Sequence, residues 1–305
     1  MPRVGLPLAL ATSPRLHRLL PARLAARLGE AHGWIVWRSG ATIREGARAS
    51  MHAIVGGTER AHEADRLARR QIMEKYAQRM LFWQPPRTAK LDEQSLNNVR
   101  AALSSGRGVV ISSCHLGPFF DVSSSVVALG RHSFVVGGDW FFEPPKHDYA
   151  GRRVTHWWGK MVARKNHLVC AKNSLPTLQA LLEEGEVTVI FFDIIGTRET
   201  IFVGKPTKLT SGTARLAFAT DALVVPVRAR RAGGRVWIDA TPPLDPTDFA
   251  EPAQLHAAIA DVHSQLVLEH PETLEDPRRA GAWEDGATAE AWIAPPHLDP
   301  AQNPR

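Results

Sequence analysis

Residues 109–128 read VVISSCHLGPFFDVSSSVVA. Val109 to Ser113 are β-branched or small, as a buried strand requires. Gly117-Pro118 breaks the run ahead of a helix expected over 118–129, because proline fits the first helical position. His115 therefore stands between the carboxyl end of a strand and the start of a helix, where open α/β sheets bind their ligands. Helix-start N–H groups there would also suit an anion or a developing oxyanion. A lone histidine at a strand end is as readily a mere hydrogen-bonding residue, so its role depends on what the rest of the chain brings to it.

Outward from this stretch, strand and helix patterns alternate. Strands are expected at 109–113, 133–136, 167–170, 187–192, 223–229 and 235–240, with helices at 118–129, 150–163, 174–184 and 211–220. That order predicts an α/β fold with a mixed, largely parallel sheet flanked by helices over 91–275, closed by a helix at 255–268. Residues 1–90 read as a helical layer of the same domain, and the acidic stretch 276–305 as a mobile tail. Within the layer, Leu16, Leu20, Leu24 and Leu28 recur every four residues with Arg15, Arg18, Arg23 and Arg27 between them. Trp34 and Trp37 follow, the pattern of an interfacial helix or of one packed on its own domain.

Charge narrows the partners. The 305-residue chain has a net charge of +6, but residues 1–100 carry +9 and residues 245–305 carry −9. A basic front half suits a membrane surface, a phosphorylated substrate or an acidic carrier protein. Zinc-finger spacing, RNP-type strands and basic zippers are missing from the sequence, so no nucleic-acid partner is expected. So are G-x-S-x-G, G-x-G-x-x-G after a strand, the P-loop and H-E-x-x-H, and no cluster has metal-ligand spacing. Neither a metal nor a resident cofactor is expected. Cys114 and Cys170 read as reduced thiols, and no apolar run approaches the ~18 residues of a spanning helix. A cytoplasmic location follows as the expectation.

A second block, LEEGEVTVIFFDIIGTRETIFVGKPTKLTSGTARLAFATDALVVPVRARR, runs from Leu182 to Arg231. With His115 it resembles the bacterial lysophospholipid acyltransferase superfamily, in the branch of lipid A late acyltransferases and phosphatidylinositol mannoside acyltransferases. The resemblance rests on collinear elements: His115, Leu182-Glu-Glu-Gly185, Phe192-Asp193, Phe202-Val203-Gly204, Thr210-Ser-Gly-Thr-Ala-Arg-Leu-Ala217 and Val224-Val-Pro-Val227.

The resemblance implies transfer of a fatty acyl group from acyl-CoA or acyl carrier protein to a hydroxyl of a membrane glycolipid or lysolipid, with no acyl-enzyme. It makes His115 the general base and places the protein on the inner face of the cell membrane. The family's acid, five positions after the histidine, is Phe120 here, and Asp121 comes one residue late. Glu199, five residues before Gly204, matches a glutamate that the mannoside branch places in the relay. Glu199 or Asp121 is therefore expected to orient His115, and Asp193 to serve structure or acceptor hydrogen bonding. Arg164 and Arg198 are candidates for the oxyanion and substrate, and Trp140 and Trp157 for an acyl groove, although tryptophans fill a core equally well. Two other readings stand: an acyltransferase for a soluble or carrier-bound metabolite, and a non-catalytic acyl-lipid-binding homologue whose dyad has eroded at Phe120.

Overall fold

The structure is a computed structural model that describes residues 20–81, 88–138, 142, 165–232 and 234–276. The helix expected at 150–163, residues 140, 157 and 164, the start of the basic pattern and the tail from 277 onward lie outside the described residues.

Helices α1 (Ala22–Ser39), α2 (Ala41–Val55) and α3 (Ala64–Leu81) precede the first strand, β1 (Lys90–Leu91), and α4 (Glu93–Ser104). Then come β2 (Val109–Ser113), α5 (Val122–Ala128), β3 (Ser133–Gly137), β4 (Asn166–Cys170), α6 (Leu175–Glu183) and β5 (Val187–Phe191). A hairpin of β6 (Ile195–Phe202) and β7 (Lys205–Leu209) leads to α7 (Gly212–Thr220), β8 (Leu223–Ala232), β9 (Arg235–Ala240) and α8 (Pro252–Glu269). Seven strands form one sheet in the order β1-β9-β8-β2-β5-β3-β4. β8, β2, β5, β3 and β4 run parallel, while β9 is antiparallel to β8. The expected strands are present, and the hairpin β6–β7 stands as a separate two-stranded sheet.

Side-chain alternation along the central strands divides the core. Val110, Cys114, Ile190, Phe192 and Val224 join the cluster formed with α2, α3, α6, α7 and α8. Val109, Ile111, Val187, Val189, Val225 and Val227 join the other, with Val99 of α4 and Val122 and Val126 of α5. With both faces covered, β2 is buried along its whole length. This explains its unbroken apolar and small composition.

The helical layer meets the sheet through polar ties as well. Arg231 of β8 bonds Glu30 of α1 at 2.8 Å and Glu74 of α3 at 2.6 Å. Between α1 and α3 the backbones approach closely, because Gly29 and Gly33 face α3. A Cβ at Gly29 would lie 2.6 Å from Ala77 Cα and from the Tyr76 carbonyl oxygen. Gly46 of α2 has open space where its Cβ would be. Alanine in a helix interior is favoured over glycine by about 1 kcal/mol, so packing should decide opposite signs at the two sites. Urea unfolding of Gly46→Ala should show a gain of about that size. Gly29→Ala should lose stability despite the better propensity.

Candidate active site

β2 and β5 are adjacent, parallel and in register, with Ser113 opposite Phe191. His115 and Asp193 each stand two residues beyond that pair, so neighbouring strands about 4.8 Å apart deliver them side by side. His115 Nδ1 lies 2.7 Å from Asp193 Oδ1, and the His115 backbone N–H donates to Asp193 Oδ2 at 3.1 Å. One carboxylate thus holds both the ring and the main chain of the same residue. Asp193 is fully buried, whereas the imidazole remains 13% exposed. Phe191 stacks on the imidazole at 4.3 Å and Phe119 meets it edge-on at 4.7 Å. A carboxylate that accepts from Nδ1–H places the neutral ring's lone pair on Nε2, the tautomer a base needs.

This geometry corrects the expected partner. Glu199 lies on β6 with its side chain 84% exposed, 3.7 Å from Lys208. The carboxylate that meets Nδ1 is that of Asp193, assigned on sequence to structure or acceptor binding. Asp121 ends a 3-10 turn, Phe119–Asp121, where its carbonyl accepts from Ser124 Oγ.

The helix expected from 118 begins only at Val122. Gly117 takes φ +56°, and the place of a Cβ there is filled by the Ala229 carbonyl oxygen. The chain then turns tightly: the N–H groups of Phe119, Asp121 and Val122 donate to Gly117, Pro118 and Phe119 carbonyls respectively. Those donors are therefore engaged inside the turn and are not the expected anion cradle.

Arg198 and Glu199 line a groove of about 290 Å³ between β6 and α8, together with His256 and Asp261. Trp140, Trp157 and Arg164 lie outside the described residues. Phe142, from the same aromatic run as Trp140, is exposed. Trp37, expected on an interfacial face, is buried, whereas Trp34 is exposed.

One buried residue under the dyad, His263, carries no signal in the sequence. His263 of α8 lies 2.8 Å from Ser112 Oγ through Nε2 and stacks on Phe192 at 5.2 Å. It thus backs the strand ends from which His115 and Asp193 project. Asp193 itself could have been found from its two-residue overhang beyond a strand, given that this strand neighbours β2. No pattern in the chain states that adjacency.

An imidazole oriented by a buried carboxylate at the carboxyl ends of parallel strands defines an α/β enzyme site suited to proton abstraction. The chain matches the family described as bacterial lipid A biosynthesis acyltransferases over residues 1–274, and it belongs to that family. It is accordingly an acyltransferase that acts on lipids. Among solved structures it resembles the 1-acyl-sn-glycerophosphate acyltransferase PlsC of Thermotoga maritima, with 15% identity and a TM-score of 0.38 over 84% of this chain and 97% of that one. No curated protein matches the chain.

Burial pushes the His263 imidazole down to about 4, with the charge of Asp193 acting in the opposite sense. In the unfolded chain this group takes up a proton near pH 6.5 that the folded protein refuses. Stability present above pH 6.5 is therefore lost as the pH falls toward 4. Urea unfolding should show a loss between those limits larger in the wild type than in His263→Gln, by on the order of 3 kcal/mol.

Proposed function

We propose that the protein transfers a fatty acyl group from an acyl thioester, on coenzyme A or acyl carrier protein, to a hydroxyl of a membrane glycolipid or lysolipid, with His115 as general base. The observation that carries this reading is the His115–Asp193 pair at 2.7 Å. His115 Nε2 takes the acceptor's hydroxyl proton as the oxygen bonds the thioester carbonyl carbon. Asp193 stabilises the imidazolium that results, as the carboxylate does in serine triads. The tetrahedral oxyanion collapses, the C–S bond breaks, and the leaving thiolate recovers the proton from Nε2. The products are an ester and a free thiol, and no acyl-enzyme is formed.

Phe119 and Phe191 leave the imidazole only 13% exposed, which strengthens the Asp193–imidazolium interaction. The reading of an eroded, non-catalytic homologue rested on Phe120 in the acid position. A carboxylate supplied from β5 removes that ground.

Membrane docking has support in α1. Leu24, Leu28 and Ile35 are 44%, 46% and 56% exposed. They fall on one face, within about 40° of one another at 100° per residue. Ala25, Ala26, Gly29, Gly33 and Trp37 occupy the buried face. Arg23, Arg27 and Arg38 are exposed beside the apolar stripe, and the Arg38 guanidinium lies over the Trp34 ring at 5.1 Å. An apolar stripe flanked by arginines suits the interface of an anionic membrane. Among the described residues no helix is long and apolar enough to cross a membrane. Docking from the inner face of the cell membrane, as a peripheral protein, fits these features.

His115→Ala should lower acyl transfer from a long-chain acyl thioester by about 100-fold or more. Asp193→Asn, which admits the wrong tautomer, should cost a factor of similar order. Full activity in the histidine variant would defeat the mechanism. In sedimentation at low salt the protein should pellet with phosphatidylglycerol vesicles, and Leu28→Glu with Ile35→Glu should return it to the supernatant. A wild type that stays in the supernatant would instead point to a soluble acceptor.

A further inference from the structure

The loop that carries His115 is held from a second side, by a segment far from it in sequence. Leu116 forms an antiparallel bridge with Leu274. Glu275 N–H donates to the His115 carbonyl at 2.9 Å, and Gly117 N–H donates to the Thr273 carbonyl at 2.9 Å. Both leucines are buried, at 0% and 1% exposure. The residue that bears the imidazole and its two successors therefore lie between the end of β2 and a short C-terminal strand-like segment.

That segment is itself anchored. It leaves α8 through the 3-10 turn Pro271–Thr273, where Pro271 and Glu272 are buried. Gln71 of α3 donates to the carbonyls of Leu274 and Glu275, each at 3.4 Å. Arg60, between α2 and α3, donates to the Leu268 and Glu269 carbonyls at the end of α8, at 2.6 and 3.0 Å. The helical layer thus grips the segment that grips the loop.

We infer that Thr273–Glu275 is a positioning strap for His115, acting by backbone pairing rather than by side-chain chemistry. The inference rests on the reading of His115 as the base. Its physical basis is that β2 ends two residues before His115 and the helix after it starts only at Val122. Between those points Gly117 takes the left-handed region, so the backbone around His115 belongs to neither β2 nor α5. Asp193 fixes the imidazole and the residue's N–H, and the strap fixes its carbonyl. An error of about 1 Å in a catalytic group costs on the order of 100-fold in rate, so a slack loop would lose turnover without losing substrate affinity.

Glu275→Pro deletes the N–H that bonds the His115 carbonyl, while Glu275→Ala removes the same side chain and keeps the donor. Leu274 has φ −66° and ψ 123°, the region favoured before proline, so the preceding backbone accepts the change. With a long-chain acyl thioester as donor, kcat of the proline variant should be at least ~10-fold below that of the alanine variant. KM should agree within about twofold, since only the reacting geometry changes. Equal kcat for the two variants, over an inactive His115→Ala control, overturns the strap alone. A fully active His115→Ala overturns the base and the strap with it. Should the proline variant melt early, a backbone ester at position 275, built by ligating a synthetic C-terminal peptide, removes the N–H without a ring, and the same comparison of kcat decides.

Discussion

The register of β2 against β5 is the constraint on which the site depends. Parallel neighbours in register carry equal overhangs to the same height, so residues two positions beyond Ser113 and Phe191 emerge together at the carboxyl edge. A slip of one residue would turn His115 and Asp193 to opposite faces of the sheet. The register is secured by the two cores, because Val110 and Ile190 belong to one face and Val109, Ile111, Val187 and Val189 to the other. Hydrophobic alternation thereby places a hydrogen-bonded acid–base pair.

The pair carries a cost that its surroundings offset. A carboxylate fully out of water is unfavourable unless its oxygens are hydrogen-bonded. Asp193 meets that condition with both oxygens on His115, one through the ring and one through the backbone. Beneath it, His263 is buried and held neutral by desolvation, which spares the strand ends a second buried charge. Phe191 and Phe119 close the imidazole from two sides. The electrostatics of the site are thus set by residues that perform no chemistry themselves.

Much of the architecture was legible in the chain. The strand candidates around 109–113, 187–192 and 223–229 and the helices around 174–184, 211–220 and 255–268 correspond to observed elements, because long apolar runs and glycine stops report burial directly. The start of α5 was misread for a local reason: Pro118 fits the first turn of a helix but here enters a 3-10 turn after a left-handed Gly117. The dyad was misread for a global one. Glu199 and Asp121 are the acids to which the family resemblance points, yet the exposed hairpin β6–β7 carries Glu199 out to Lys208.

The place of His115, at the end of a buried strand ahead of Gly117-Pro118, was legible from its own context, but its role was argued from the distant block Leu182 to Arg231. Its counterpart, Asp193, was equally visible as an acid ending an apolar run. That the two belong together was decided only by the order of strands in the sheet, since adjacency of β2 and β5 arises from how crossover helices pack and leaves no trace in either strand's composition. The same holds for Leu274 against Leu116 and for His263 against Ser112. Local pattern determined which segments are buried and which residues have reactive chemistry. Long-range packing determined which of those residues touch, because a contact between distant positions depends on every element folded between them.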